Sequence, residues 1–272
     1  MKKRYQGLQI ISVLLIVGAI ALFFYPIIAN LIANQARSTA LSHYDQHYKK
    51  MDKKQIQQQF EWAEQYNHYL FDKQEGLSVD EHQPYKKIMN IGGVMATLDV
   101  PAIHIKRMPI FHGSDPLTLD EGLGHMNITS IPIGGKNTRS VITGHSGVRN
   151  QVLFSNVNRM KKGDVFYLHI LNRKLAYEVN DIRRVYPSAV DSIKIKPGKD
   201  LVTLLTCDPP GINTYRLLVT GKHIPLKQAE KKKVQPRDWW DYQHLVIYGT
   251  CLLLLLLMIY WLVIRRKKKR EV

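Results

Sequence analysis

The sequence predicts a mainly β domain, closed as a barrel or sandwich and held between two membrane-spanning helices. Three observations predict it. Uncharged apolar runs stand near both ends of the 272-residue chain, each with basic residues on its terminal side. Between them, from Val94 to about Ile224, short β-branched and aromatic segments alternate with turns containing Gly, Pro or Asn. One of the only two cysteines lies inside an apolar run, which leaves Cys207 as the single thiol of the intervening region.

The N-terminal run, Leu8 to Ala29, follows Lys2, Lys3 and Arg4, and the C-terminal run, Leu245 to Ile264, precedes the basic stretch Arg265 to Arg270. Each is about 20 residues, the length a helix needs to cross a hydrocarbon core. The positive-inside rule places both termini in the cytoplasm and the intervening chain outside, and Trp239, Trp240 and Tyr242 fit an interfacial aromatic belt. A cleaved signal peptide is the competing reading of the first run; the run exceeds a signal h-region in length, which favours an uncleaved anchor. Of the net charge of +17, the two basic ends carry about +8, and Lys227 and Lys231 to Lys233 beside the membrane supply part of the rest. Such lysines serve topology or anionic headgroups. No nucleic-acid motif accompanies them, so a nucleic-acid partner is not expected.

The chain divides into a basic end and first membrane helix at 1–33 and a helical stalk and loop at 34–92. A β domain at 93–226, a juxtamembrane linker at 227–244, a second membrane helix at 245–264 and a basic tail at 265–272 complete it. In the stalk, Leu41, Tyr44, Tyr48, Met51, Ile56, Phe60, Ala63, Tyr66 and Leu70 recur near a 3.6 period, predicting one long or two shorter helices. Gln74 to Asn90, with Gly76 and Pro84, reads as a loop. The expected strands are 94–100, 103–105, 109–111, 140–143, 164–170, 174–180, 183–186, 201–206 and 214–221, with 164–180 a tight hairpin at Asn172. Short helical turns are expected at 117–122 and 151–158.

The stretch from Leu201 to Arg216 gathers the chemistry. A strand ends in Cys207, Asp208-Pro209-Pro210-Gly211 breaks it, and a second strand carries Arg216. Pairing Cys207 with Thr214 would set Arg216 opposite Leu205, on the face of the thiol and diagonal to it. An unpaired cysteine in an exported domain is a candidate reactive thiol, and as a nucleophile it needs a base or a lowered pKa. Among His104, His112, His125, His145, His169 and His223, the best partner is His145, between Gly144 and Ser146-Gly147 at the end of an apolar strand. His169 reads as a packing histidine and His112 as a turn residue. Arg216 can stabilise an oxyanion or hold the substrate backbone; alone, it would read as a solvated strand arginine. Metal ligation is weakly supported, Gly134-Gly135 reads as a turn, and no cofactor is expected.

Thr203-Leu204-Leu205-Thr206-Cys207 matches the sortase signature TLxTC, and Gly144-His145-Ser146-Gly147 resembles the histidine segment of the same family. Leu98 to Ile103, Pro109 to Gly113 and Gly122 to His125 add to an ordered set of motifs over about residues 93–224. The resemblance implies an eight-stranded sortase barrel and a cysteine transpeptidase, with Cys207 as nucleophile, His145 as acid and base, and Arg216 on the oxyanion or the signal. The implied substrates are surface or pilin proteins with an LPXTG-like sorting signal, cleaved at Thr-Gly, on the outside of a Gram-positive-type cell. Two spans and a helical N-terminal segment resemble class C, whose acceptor is a pilin lysine; in housekeeping members it is a cell-wall precursor. Many class C members carry a lid with an Asp-Pro-aromatic motif; residues 71–90 hold none, Gln83-Pro84-Tyr85 being nearest. A hydrolytic cysteine protease and a non-catalytic membrane assembly module are the remaining alternatives.

Overall fold

A computed structural model describes residues 2–146, 154–234, 236, 237, 245, 247–253 and 255. They form two units, Met1–Ala29 with Asp238–Val272, and Asn30–Arg237. The first unit is helical where described. Among the described residues no helix is long and apolar enough to cross a membrane, and much of the C-terminal apolar run lies outside those residues.

The stalk is two helices, α1 (Lys2–Lys50) and α2 (Lys53–Glu75). Asp52 separates them because its carboxylate serves the second. Asp52 Oδ1 accepts from the Gln55 amide at 2.7 Å while Gln55 Oε1 accepts from the Asp52 amide at 2.9 Å, a reciprocal capping box. Gly76, at φ 72°, closes α2 in the left-handed conformation that an L side chain resists. α2 buries Phe60, Ala63, Tyr66 and Asn67, one face at helical spacing.

The β region is a closed barrel in the order β1-β2-β3-β4-β7-β8-β6-β5. Its strands are β1 (Val94–Val100), β2 (Ile105–His112), β3 (Leu123–His125), β4 (Thr138–Thr143), β5 (Val165–Ile170), β6 (Arg173–Val185), β7 (Asp200–Asp208) and β8 (Tyr215–Ile224). The β2–β3 and β4–β7 pairs are parallel, and the other six are antiparallel. Closure leaves no edge strand open to another chain. Two short helices, α3 (Pro116–Glu121) and α4 (Leu226–Glu230), lie outside the wall.

Several boundaries differ from the sequence expectation. The expected strands 174–180 and 183–186 are one strand, β6, whose register shifts between Val179 and Asp181; the polar Asn180-Asp181 pair marks a bulge, not a turn. Ile103 ends a 3-10 turn and His104 sits at φ 58°, so β2 begins at Ile105. β3 was not expected: three residues with a central glycine carry almost no strand signal. A Cβ at Gly124 would lie 2.3 Å from the Gly113 carbonyl oxygen, so β3 exists only where a glycine permits that approach. Of the expected turn at 151–158, residues 151–153 lie outside the described residues, and the described part holds a 3-10 turn at Val157–Arg159.

Chain segments flanking the barrel are tied to β1, β2 and β5. Tyr44 of α1 packs on Ile91 and Val94 and accepts from the Leu171 amide at 2.9 Å, and Asp45 pairs with Arg107 at 2.7 Å. In the expected linker, Arg237 forks onto Asp164 at 2.6 and 2.8 Å and donates its amide to the Ala102 carbonyl at 3.1 Å. That pairing raises the guanidinium pKa, first through the Asp164 hydrogen bond.

Candidate active site

The site stands on the outer face of β4, β7 and β8. Along β7, Val202 and Leu204 enter the main core, so by strand alternation Thr203, Leu205 and Cys207 face outward. The central strand is fixed from both sides. Thr206 Oγ1 donates to the Gly144 carbonyl at 2.8 Å and the Gly144 amide to the Leu205 carbonyl at 3.2 Å. Thr203 Oγ1 accepts from Arg139 Nε at 3.1 Å and lies 3.1 Å from Thr220 Oγ1. The two threonines of the TLxTC run therefore lock β7 to β4 and β8, whereas the Cys207 thiol of the same run has no hydrogen-bond partner among the described residues.

Cys207 pairs directly with Arg216, and Asp208 with Tyr215. The expected pairing with Thr214 is corrected by two residues, because β7 continues through Cys207 to Asp208. An even slip preserves the face, so the guanidinium remains beside the thiol and comes opposite it. Arg216 Nη1 donates to the carbonyls of Asn213 (3.0 Å) and Tyr215 (3.1 Å), which aims the fork from the six-residue loop between β7 and β8. Asp208 turns inward, 2 % exposed, and pairs with Arg184 Nε at 2.5 Å.

His145 follows β4. Its carbonyl accepts from the Phe154 amide at 3.0 Å, and the neighbouring Ser146 hydroxyl donates to the Cys207 carbonyl at 2.5 Å, so the histidine and cysteine segments are stitched together. The ring is half-buried, with Nε2 3.8 Å from Asp120 Oδ1 at the end of α3. His145, Cys207 and Arg216 line one cleft of about 300 Å³, walled by Tyr186, Val190 and Ile193 between β6 and β7. Asp120 and that wall escaped the sequence reading: neither has a motif, and the barrel order alone brings them to β7.

Three other histidines of the barrel are committed elsewhere. His125 is fully buried, with Nδ1 2.9 Å from Tyr85 Oη and Nε2 2.9 Å from the Ser130 carbonyl; burial lowers its pKa to about 4. His112 is not a simple turn residue: it ends β2, donates through Nε2 to the Ile88 carbonyl at 2.7 Å and is lowered by burial. His169, expected to be a satisfied packing histidine, is satisfied by Asp99 at 3.0 Å, but on a half-exposed face rather than in the core. Tyr85, in the nearest counterpart to a lid motif, docks between the rings of His112 and His125 at 5.0 and 5.7 Å. No residue between Phe71 and Asn90 lines the cleft.

A closed eight-stranded barrel with a thiol, a guanidinium and an imidazole in one outer cleft defines a sortase-type cysteine transpeptidase. The family model "Sortase domain" matches residues 98–224. Sortase C-1 from Actinomyces oris is 45 % identical, with 63 % of this chain and 99 % of that chain covered and a TM-score of 0.57. A Clostridium perfringens sortase C structure with the C-terminal cell wall sorting motif is 40 % identical, covering 70 % and 100 % at a TM-score of 0.62. Among curated proteins, Sortase A of Streptococcus agalactiae is 27 % identical over 77 % of this chain and 81 % of its own. The chain belongs to the sortase family, and its structural neighbours are class C, pilin-type sortases.

Proposed function

We propose that this protein is a membrane-anchored, pilus-assembling sortase that cleaves an LPXTG-like signal between Thr and Gly at Cys207. The observation carrying this reading is the direct Cys207–Arg216 pair with His145 in the same cleft. Cys207 gives its thiol proton to His145 as Sγ adds to the Thr carbonyl carbon, and the negative charge moves to the carbonyl oxygen. Arg216 faces that oxygen: Nη1 is held by loop carbonyls, and the remaining N–H groups of the fork are available to the oxyanion. Collapse breaks the C–N bond, His145 protonates the departing Gly amine, and a thioester remains. An acceptor amine then attacks the thioester, His145 takes its proton, and the thiolate leaves as the new amide forms.

Pilin lysine is the favoured acceptor. Support comes from the sortase C structures, 30–45 % identical, against 27 % for the sortase A of Streptococcus agalactiae. The two apolar runs with basic terminal flanks support a two-span anchor, both termini cytoplasmic and the barrel outside. Mass spectrometry of the product from an LPXTG-type peptide offered a pilin lysine peptide and a cell-wall precursor amine tests the reading. An isopeptide to lysine is expected. Exclusive capture of the cell-wall amine makes it a housekeeping enzyme, hydrolysis alone makes it a protease, and failure of an electrophilic signal analogue to label Cys207 ends the catalytic reading.

A further inference from the structure

A second recess, of about 330 Å³, runs between α2 and the segment joining β6 to β7. Ile128, Val190 and Ile193 line both it and the Cys207 cleft, so the two recesses adjoin along that ledge. Ile128 and Val190 are 57 % and 55 % exposed, an apolar ledge at the junction. Its walls are preformed. The Gln74 side chain brackets Ile195 as a strand would, donating to its carbonyl at 3.0 Å and accepting from its amide at 2.8 Å. Beneath, Arg139, 1 % exposed, donates through Nη1 to the Lys194 carbonyl at 3.2 Å. A groove fixed in this way orders a bound chain without ordering itself.

The register gives the groove a direction. His145 stands past the end of β4, level with Cys207, and the leaving amine must reach it. The retained acyl half therefore runs the other way, over Leu205 and its partner Leu218, which pack with Ile193. Beyond Ile193 lies the second recess. No carboxylate lines it; Lys194 is neutralised by Asp191 at 2.7 Å, and Lys73 is paired with no carboxylate among the described residues. Lys73 Nζ rests on Tyr69, 3.1 Å from its hydroxyl. On the far side of Tyr69, Glu61, Glu64, Asp72, Asp80 and Glu81 line a separate recess, which ends the cationic stretch.

We propose that this recess is a second polypeptide subsite, which takes the extended stretch of the substrate protein just upstream of its sorting signal, with a substrate carboxylate on Lys73. The proposal rests on the Cys207 reading above. Its test uses the full chain and two peptides: an LPXTG-type signal alone, and the same signal extended upstream by roughly eight residues with alternating glutamates, about 26 Å of strand. In the Cys207→Ala background, the extended peptide is expected to bind about fivefold tighter than the short one, the upper worth of one exposed ion pair. That gain should vanish with Lys73→Glu and with Lys73→Met, which keeps the aliphatic stem over Tyr69, while short-peptide affinity stays unchanged. Equal affinity for both peptides, or a gain that survives Lys73→Glu, overturns the subsite. A Lys73-dependent gain in that background, with no transfer of either peptide by the chain that retains Cys207, overturns the transpeptidase reading and leaves the subsite standing.

Discussion

His125 and His145 belong to the same barrel wall and have opposite surroundings. Around His125 both ring nitrogens are taken, by Tyr85 and by the Ser130 carbonyl, and no water reaches the ring. Around His145 the backbone is pinned while the ring stays half-exposed, with a carboxylate 3.8 Å away. The first arrangement spends the imidazole on cohesion between the 77–90 loop and the barrel. The second fixes the position of the ring and leaves its proton chemistry unspent. The two histidines thus differ in what the ring leaves unbonded, not in how firmly the backbone is held.

The comparison breaks most visibly on the cleft side. Cys207→Ala should abolish thioester formation, and a peptide adduct in that variant, sought by intact-mass spectrometry, would refute the nucleophile. Arg216→Lys keeps the charge but loses the fork, and kcat/KM for transfer should fall about 100-fold or more, as for loss of an oxyanion donor. A fall of only a few-fold would assign Arg216 to packing of the β7–β8 loop.

On the buried side the effect is on stability. His125 is lowered by burial from 6.5 to about 4, so below pH 6.5 the unfolded chain binds a proton that the folded chain refuses. Stability is therefore whole above pH 6.5 and falls as pH drops towards 4, by about 3 kcal/mol over the window. Denaturant midpoints between pH 7 and 4, compared with those of His125→Gln, would show the slope flattened in the variant. Tyr85→Phe removes the hydroxyl that meets His125 and the Gly113 amide and should cost about 1–3 kcal/mol at pH 7, leaving transfer nearly intact. The smallest effect is expected for Asp120→Asn: its carboxylate is 65 % exposed, and transfer should change less than about fivefold.

The three residues that share the candidate cleft were legible where local chemistry carries the signal: a thiol with no disulfide partner, an arginine on the same strand face, a histidine between small residues. The barrel was legible as alternating short strands. What could not be read was long-range pairing. The Cys207–Arg216 register depends on how far β7 runs before Pro209, β3 depends on a glycine contact across the wall, and β6 hides a bulge behind residues that resemble a turn. The companions of the site are silent for the same reason, since Asp120, Val190 and Ile193 meet it only through the barrel order.

The clasps of Tyr44 on Leu171 and of Arg237 on Asp164 acquire a mechanical meaning from that order. Each fastens a flanking segment near β1 and β5, which stand across the ring from β7 and β4. A pull along either flanking segment enters the barrel as shear on the wall that carries no nucleophile. The strand bearing Cys207 would stay slack under a load applied through either end of the barrel chain.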